Sequence, residues 1–226
     1  MKTNTIRYHL YASVAALAIG HSATGQNVIG VGEPTGAIRN DTYAFGAGFE
    51  FYAPSGTGTV INSLGYWDQG GDGLTTSHTV SLYAYAGFGS TYNLLTTVTL
   101  SAGTINPLIG GYRWANIGNL VLPDNGQGGG YYALLASHDG SDPWTDGIGG
   151  SPILNPLIGT ISGYGLIDET SGQTITQTPV NLVGNTNPGS VYGGANLAFI
   201  QQVPEPTILA LLGGGVAILM ARRQRQ

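Results

Sequence analysis

Two carboxylates lie four residues apart in a glycine-rich stretch that reads Asp68-Gln-Gly-Gly-Asp72-Gly. Calcium prefers oxygen ligands, and the glycines allow backbone carbonyls to turn towards a cation. The stretch is not an EF-hand loop, because its third position is Gly70 and its twelfth is Thr79, where that loop requires a bidentate glutamate. Two interpretations stay open: a calcium site at Asp68 and Asp72, or a turn in which an aspartate bonds nearby backbone.

A second polar stretch holds Asp139, Asp142 and Asp146 within eight residues, together with Trp144. Carboxylates this close repel one another unless the turn separates them or a cation neutralises them. An aromatic ring suits the apolar face of a carbohydrate, so this loop is a candidate glycan site. The alternative is a loop with a packed tryptophan and solvated acids.

Catalytic motifs are missing from the sequence. There is no Gly-x-Ser-x-Gly elbow and no His-Glu-x-x-His. His78 and His138 have Asp72 and Asp139 as conceivable partners, but Ser137 and His138 are adjacent, and adjacent residues on a strand point to opposite faces. A glycosidase carboxylate pair leaves no local spacing signature. We predict no catalytic residues and no enzyme activity, with a secreted glycoside hydrolase as the enzymatic alternative.

Positive charge is scarce between residues 26 and 202. This region holds only Arg39 and Arg113 against eleven acids, a net charge of −9. A nucleic-acid partner is excluded because phosphate binding needs a cationic footprint. Arg113 lies in a strand-like segment, so we predict that it pairs with a carboxylate, since an unpaired buried charge is costly. The alternative is an anionic ligand group. The chain has no cysteine, which excludes disulfides and thiolate sites.

Alternating or aromatic-rich runs recur between turn residues, as is typical of β-strands. The 38 glycines supply the turns, and the 13 tyrosines supply core. Short strands at this spacing predict an all-β fold, an antiparallel β-sandwich of jelly-roll kind. The predicted strands are residues 43–52, 59–67, 78–85, 94–100, 112–117, 120–122, 131–137, 158–167 and 196–201.

The N-terminal 25 residues have the order of a secretory signal peptide. Lys2 and Arg7 precede an apolar stretch at residues 10–20, and Ala23 and Gly25 provide small residues for a cleavage site. A cut after Gly25 leaves a secreted domain at residues 26–202, and a cut after Gly20 is the alternative.

The C-terminal residues combine a proline-bracketed acid, an apolar run and a cationic end. Val203-Pro204-Glu205-Pro206 is extended because proline disfavours helix in the residue before it. The apolar run at residues 207–221 predicts a transmembrane helix of roughly 22 Å, shorter than the ~30 Å hydrocarbon core, so flanking residues must help it to cross. Arg222 and Arg223 favour a cytoplasmic C-terminus.

This tail resembles the PEP-CTERM sorting signal of bacterial surface and exopolysaccharide-associated proteins. The resemblance covers residues 203–226 and rests on Pro204, Glu205, Pro206 and the terminal arginines. It implies an exosortase as partner, a membrane protease that recognises the Pro-Glu-Pro region and removes the apolar tail.

The region at residues 60–144 also resembles a β-sandwich domain of unknown function found beside such tails. The resemblance implies a fold and a surface location, but no activity. It rests on the following residues: Leu64, Gly65, Asp68, Asp72, Gly73, Leu74, His78, Val80, Gly111, Tyr112, Arg113, Asp142, Pro143 and Trp144.

Together these observations predict an exported, non-enzymatic protein of the cell surface or exopolysaccharide matrix. Glycan binding is the leading molecular role, because Trp67, Trp144 and many tyrosines accompany the acidic loops. The alternative is a structural or adhesive protein that associates with itself, and ice binding is a further one.

Overall fold

The computed structural model describes residues 26–34, 36–40, 42–54, 59–87, 90–123, 129–146, 154–156, 158–166, 174–176, 183–185 and 192–201. The predicted signal peptide at 1–25 and the predicted helix at 203–226 lie outside these residues. Within the described part of the chain, no helix is long and apolar enough to cross a bilayer. The segment from Asn27 to Gln201 forms one compact unit.

The described residues form β-strands whose pairings are all antiparallel, which confirms the predicted all-β class. The strands are β1 Gln26–Ile29, β2 Ala37–Arg39, β3 Thr42–Pro54, β4 Val60–Trp67, β5 His78–Tyr85, β6 Asn93–Leu100, β7 Leu108–Ile109, β8 Tyr112–Val121, β9 Gly129–Asp139, β10 Trp144–Asp146, β11 Thr160–Leu166, β12 Val183–Asn185 and β13 Ala195–Gln201.

Two large sheets hold most of the strands. A five-stranded sheet has the order β1-β13-β4-β8-β7, and a six-stranded sheet has the order β12-β11-β3-β9-β5-β6. The short strands β10 and β2 pair separately, with Trp144 opposite Arg39. Most neighbouring strands in the large sheets are not consecutive in the sequence, so other strands lie between them along the chain.

Both large sheets contribute side chains to one hydrophobic core. Phe49 and Phe51 of β3 meet Ile61 and Leu64 of β4 and Leu197 of β13 in a single buried cluster. Phe49 and Phe51 share a face because successive side chains in a strand alternate between faces. Burying one such side chain contributes about 1.5–3 kcal/mol, and truncating either phenylalanine to alanine should cost about 3–5 kcal/mol. The sheets therefore pack face to face in a sandwich-like arrangement.

Because neighbouring strands run antiparallel, the end of one strand and the start of its neighbour lie at the same end of the unit. One end, which we call the acidic end, carries the loops with Asp68 and Asp142 and the start of β5 at His78. The other end, the tyrosine end, carries Tyr85 at the end of β5 and Tyr131 near the start of β9. The acids singled out in the sequence lie at the first end, while the second end received no prediction.

Strand β8 corrects the sequence prediction of two separate strands at residues 112–117 and 120–122. It runs unbroken from Tyr112 to Val121, and its register against β4 shifts between Ile61 and Ser63. Gly118 has a φ of +77° and donates its N–H to Asn116 Oδ1 at 2.6 Å. A β-bulge at Gly118 therefore accommodates Asn116 and Gly118 without ending the strand.

Candidate functional site

A buried ion pair organises the acidic end. Arg113 Nε donates to Asp68 Oδ2 at 2.6 Å, and the side chains of both residues are almost fully buried. The remaining guanidinium nitrogens donate to the backbone carbonyls of Asn106 at 3.1 Å and Gly71 at 3.0 Å. The predicted pairing of Arg113 with a carboxylate is confirmed.

The same pair decides what Asp68 can offer a cation. Its carboxylate already accepts from Arg113 and from the Gly73 N–H at 3.1 Å, whereas Asp72 is exposed. Gly73 has a φ of +113°, a conformation open to glycine, and this bond closes the turn around the carboxylate. In the described part of the chain, no three His, Asp or Glu side chains are grouped so as to hold a metal. The calcium site at Asp68 and Asp72 stays a prediction.

Asp142 is held by a set of donors at the same end. It accepts from the backbone N–H groups of Thr75 at 2.9 Å and Thr76 at 3.1 Å, and its Oδ2 lies 2.8 Å from His78 Nε2. Burial raises the pKa of Asp142, but these hydrogen bonds outweigh burial and lower the pKa overall. Asp142 is therefore ionised at neutral pH and acts only as an acceptor.

His78 bridges that carboxylate to strand β9. Its Nδ1 lies 2.9 Å from the carbonyl oxygen of Ser137, and its Nε2 faces Asp142. In these contacts the Ser137 carbonyl oxygen and the ionised Asp142 carboxylate are acceptors, and the His78 ring is the donor. The His78 and Asp142 side chains thus form a charge-assisted contact that joins the loop before β5 to the loop after β9.

Tyr66 continues the network into the core. Its ring lies nearly parallel to the His78 ring, with centroids 3.8 Å apart, and its hydroxyl lies 2.8 Å from His138 Nδ1. His138 Nε2 faces the Ala47 carbonyl at 3.3 Å, so Nε2 donates there and Nδ1 accepts from Tyr66. Burial, together with the charges of the neighbouring aspartates, raises the pKa of Tyr66 well above its usual value. The phenol therefore stays protonated as a donor.

The structure separates the members of the predicted glycan loop. Trp144 is fully buried against His138 and Tyr192, so its ring offers no face to a sugar. The burial of Trp144 does not fit the predicted stacking role. It agrees with the packed tryptophan of the alternative, but Asp142 is buried and not solvated as that alternative expects. Trp67 is also buried. Asp146 ends strand β10, and its side chain lies outside what the structure describes.

Asp139 remains at the surface beside this network. Burial raises the pKa of Asp139, but hydrogen bonds from Ser141 and Thr76, together with the nearby His78, outweigh burial and bring this pKa down to about 2. Asp139, Asp142 and Asp68 are therefore all committed to hydrogen bonds that fix loops. The residues behind the resemblance to the β-sandwich domain, such as His78 and Arg113, have packing and pairing roles here.

The tyrosine end holds a buried acid that the sequence analysis missed. Glu50 projects from the face of β3 opposite to Phe49 and Phe51 and is 2% exposed. Tyr85 donates its hydroxyl to Glu50 Oε2 at 2.9 Å, and Tyr92 donates to Oε1 at 2.6 Å. Burial raises the pKa of Glu50, and the two tyrosine hydrogen bonds offset this in part.

Aromatic rings continue from this acid to the surface. The Tyr85 ring lies 4.3 Å from that of Tyr92 and 5.5 Å from that of Tyr131, whose ring is in turn 5.0 Å from that of Tyr52. An open groove of about 180 Å³ lies beside them. The groove is lined by Ala84, Tyr85, Ala86, Asn93, Pro123, Gly130, Tyr131 and Tyr132.

One signal in the sequence pointed to this groove. Tyr52, Tyr85 and Tyr131 each stand at a boundary of a predicted strand, and antiparallel pairing brings those boundaries to one end. The sequence analysis treated the tyrosines as core residues and did not compare their positions along the strands. Glu50 gave no signal, because its burial depends on which face of β3 is covered.

The comparisons with known proteins concern the end of the chain. Residues 202–226 match the PEP-CTERM protein-sorting motif, one residue longer than the predicted segment. No curated protein and no solved structure gives a significant match to the chain. The motif indicates export and processing by an exosortase. The chain therefore carries a PEP-CTERM sorting motif behind a domain built of antiparallel β-sheets.

Proposed function

We propose that this protein is exported, loses its PEP-CTERM tail to an exosortase and stays at the cell surface or in the exopolysaccharide matrix, where it binds glycan without catalysis. The sorting motif at residues 202–226 is the observation that carries the proposal. The signal-peptide pattern at residues 1–25 supports it independently. In this account residues 26–202 are the delivered domain, a jelly-roll-like β-sandwich between two targeting segments.

The charge pattern of the tail indicates on which side of the membrane the domain lies. Residues 207–221 are apolar and are followed by Arg222 and Arg223, which are retained on the cytoplasmic side. The β-domain then lies on the opposite side of the membrane before processing. Val203, Pro204, Glu205 and Pro206 stand between domain and membrane helix, where a membrane protease can read an extended segment.

The chemistry of the acidic end argues against a catalytic role for its two buried pairs. The His78–Asp142 and Arg113–Asp68 contacts are the buried acid–base pairs of the described residues, and both are engaged within the protein. A general acid or base must reach a substrate atom, directly or through one water. Neither pair has that access, so their hydrogen bonds serve to hold loops.

Two measurements test the proposal. Replacing Pro204, Glu205 and Pro206 by alanine in a host that carries an exosortase should leave the tail attached and the protein in the membrane fraction. A glycan array probed with and without calcium should show binding by the wild-type protein. Absence of binding in both conditions would remove the glycan role and leave the sorting role standing.

Self-association is the second candidate function, favoured by exposed apolar side chains at separate points along one edge of the five-stranded sheet. Ile109 of β7 is 57% exposed and Val121 of β8 is 62% exposed, with Ile105 at 82%. Exposed apolar groups at a sheet edge favour contacts with other chains. Concentration-dependent assembly in sizing experiments, without any effect of sugar, would favour this function over glycan binding.

A further inference from the structure

We infer that the tyrosine end of the unit is a lipid-contacting surface, which rests against the neutral headgroups of a bilayer as long as the apolar tail is attached. The inference rests on the membrane-inserted tail of the proposed function, and it adds which surface of the domain meets the lipid. The acidic end then points away from the membrane, into water.

The chain leaves the unit at the tyrosine end. Ile200 of β13 is opposite Val60 of β4, and Val60 is in turn opposite Val121 of β8. Two residues after Val121, Pro123 lines the same groove as Tyr131. The last residue of β13 therefore lies at the end of the unit that carries the tyrosines.

A short connection joins this exit to the predicted membrane segment. Residues 202–206 separate Gln201 from Thr207, and an extended chain covers at most ~3.6 Å per residue, so these five residues span at most about 18 Å. Pro204 and Pro206 restrict the backbone of this connection further. Such a tether keeps the tyrosine end at a high effective concentration beside the lipid, so that even a weak contact forms.

A group of acids marks the opposite end. Asp68, Asp72, Asp139 and Asp142 lie there, where Asp68 pairs with Arg113. Strand β5 runs from that end to the tyrosine end in eight residues, which is roughly 26 Å at about 3.3 Å per residue. Ionised groups are costly to remove from water, so the acidic end is the less suitable of the two for contact with lipid.

The tyrosine end is poor in charge. The described residues that connect β3 to β4, β5 to β6 and β8 to β9 carry no charged side chain. The undescribed residues of these connections add one acid by sequence, Asp124. Glu50 lies beneath this end and is 2% exposed. Arg39 and Arg113, the cations of residues 26–202, are at the acidic end, so attraction to anionic lipid does not contribute.

Side chains that suit a lipid interface are present at the tyrosine end. Val121 is 62% exposed, and Ala86 and Pro123 are exposed as well, while the rings of Tyr52 and Tyr131 are half-buried. Tyrosine is enriched at membrane interfaces because its ring is apolar and its hydroxyl is polar. These residues come from strands of both large sheets and from the connections that follow them. The contact is therefore made by the end of the sandwich and not by the face of one sheet.

The acidic end also exposes apolar side chains, which makes it the competing surface. Ile105 is 82% exposed and Ile109 is 57% exposed, in the connection between β6 and β8. That connection lies a strand length away from the exit of the chain at Gln201 and beside the acids. The place of the tail therefore favours the tyrosine end.

Fluorescent probes on single cysteines test the inference in the full chain, which has no cysteine of its own. The chain is reconstituted in phosphatidylcholine vesicles that contain spin-labelled lipid as a quencher. With the probe at Val121→Cys or Ala86→Cys, we expect a blue-shifted emission and a loss of intensity. With the probe at Ser77→Cys, an exposed position of the acidic end, the emission should remain that of a probe in water. A probe at Leu212→Cys reports whether the tail is inserted.

A charged substitution tests whether the surface itself makes the contact. In the chain with the Ala86 probe, Val121→Asp should weaken the quenching, because a carboxylate is costly to remove from water. Ser77→Asp adds the same charge at the acidic end and is the matched control, which should leave the quenching unchanged. An equal signal in Val121→Asp and the wild-type chain would mean that the tether alone holds the probe near lipid, and it would overturn the inference.

The outcomes separate the surface from the proposed function. If the Leu212 probe is quenched but the Val121 and Ala86 probes are not, the tail enters the membrane and the assigned surface is wrong. If the Ser77 probe is quenched instead, the acidic end meets the lipid. If quenching at Val121 requires phosphatidylglycerol in the vesicles, the assignment of a neutral interface is wrong. If the Leu212 probe is not quenched, the membrane insertion of the tail fails, and the surface fails with it.

Discussion

The Asp68 carboxylate and the Arg113 guanidinium form a buried ion pair, 2.6 Å between Oδ2 and Nε, that ties the loop after β4 to strand β8. Three further hydrogen bonds hold the pair in place. The Gly73 N–H donates to the aspartate, and the guanidinium donates to the carbonyls of Asn106 and Gly71. The pair therefore acts as a unit whose halves depend on each other.

Removing one half of this pair should be more damaging than removing both. Arg113→Met leaves the Asp68 carboxylate buried without its cation, and we expect the free energy of unfolding to fall by about 3–5 kcal/mol. Urea denaturation measures the change. The double variant Asp68→Asn with Arg113→Met should recover part of the loss, and a single variant that loses less than about 1 kcal/mol would contradict the assignment.

His78 should stabilise the fold through its hydrogen bonds as well as through the stacking of its ring. In His78→Phe the ring can still stack on Tyr66, but the Ser137 carbonyl and Asp142 each lose a partner. Asp142 keeps the N–H donors of Thr75 and Thr76, so the loss of the two His78 hydrogen bonds should cost about 1–3 kcal/mol in total. We expect a lower denaturation midpoint with the β-sheet circular dichroism spectrum retained, and an unchanged midpoint would argue against the network.

Acid should weaken the acidic end in a defined pH window. The folded-state pKa of Asp139 is about 2, below its ordinary 3.8, so the stability it provides is present above the ordinary value and is lost as pH falls towards 2. The lowered pKa of Asp142 acts in the same direction. Denaturation midpoints between pH 5 and 2 should fall in the wild-type chain, and Asp139→Asn should make that fall shallower.

Glu50 should have the opposite pH dependence. Burial raises its pKa in the folded state, so the folded chain holds this proton more tightly than the unfolded chain does. Its contribution is most favourable at low pH and is lost as pH rises through the folded-state value. Glu50→Gln keeps the shape and one acceptor oxygen, while its amide NH2 group donates to the hydroxyl oxygen of the second tyrosine. The variant should raise the urea midpoint at pH 7. A lower midpoint would show that the ionised carboxylate is the stabilising form.

The long strands could be predicted from the sequence because alternation of side chains is a local signal. Strand β5 has the predicted bounds at residues 78–85, where Val80 and Leu82 are fully buried. Strands such as β7 and β10, with two and three residues, are too short to show any period. Strand β10 pairs with β2, which lies far earlier in the chain, and β7 is defined only by its pairing with β8 across Gly110 and Gly111.

The candidate site was harder to predict, because burial decides which of its side chains are accessible to a ligand. Trp144 looked available for stacking beside three acids, yet it packs under His138 and Arg39 once β10 pairs with β2. The pairing of Arg113 was predictable, because a lone cation in a strand needs a counter-charge. The identity of its partner was not, since Asp68 and Arg113 are 45 positions apart in the chain.

Mass spectrometry of the protein released from the surface of an exosortase-bearing host tests the central claim most directly. The account predicts a mature chain that lacks both the segment at residues 1–25 and the apolar run at residues 207–221 with its arginines. Deleting the exosortase should return the C-terminal residues to the product. An intact chain of 226 residues recovered from the cytosol, with both ends present, would contradict the account.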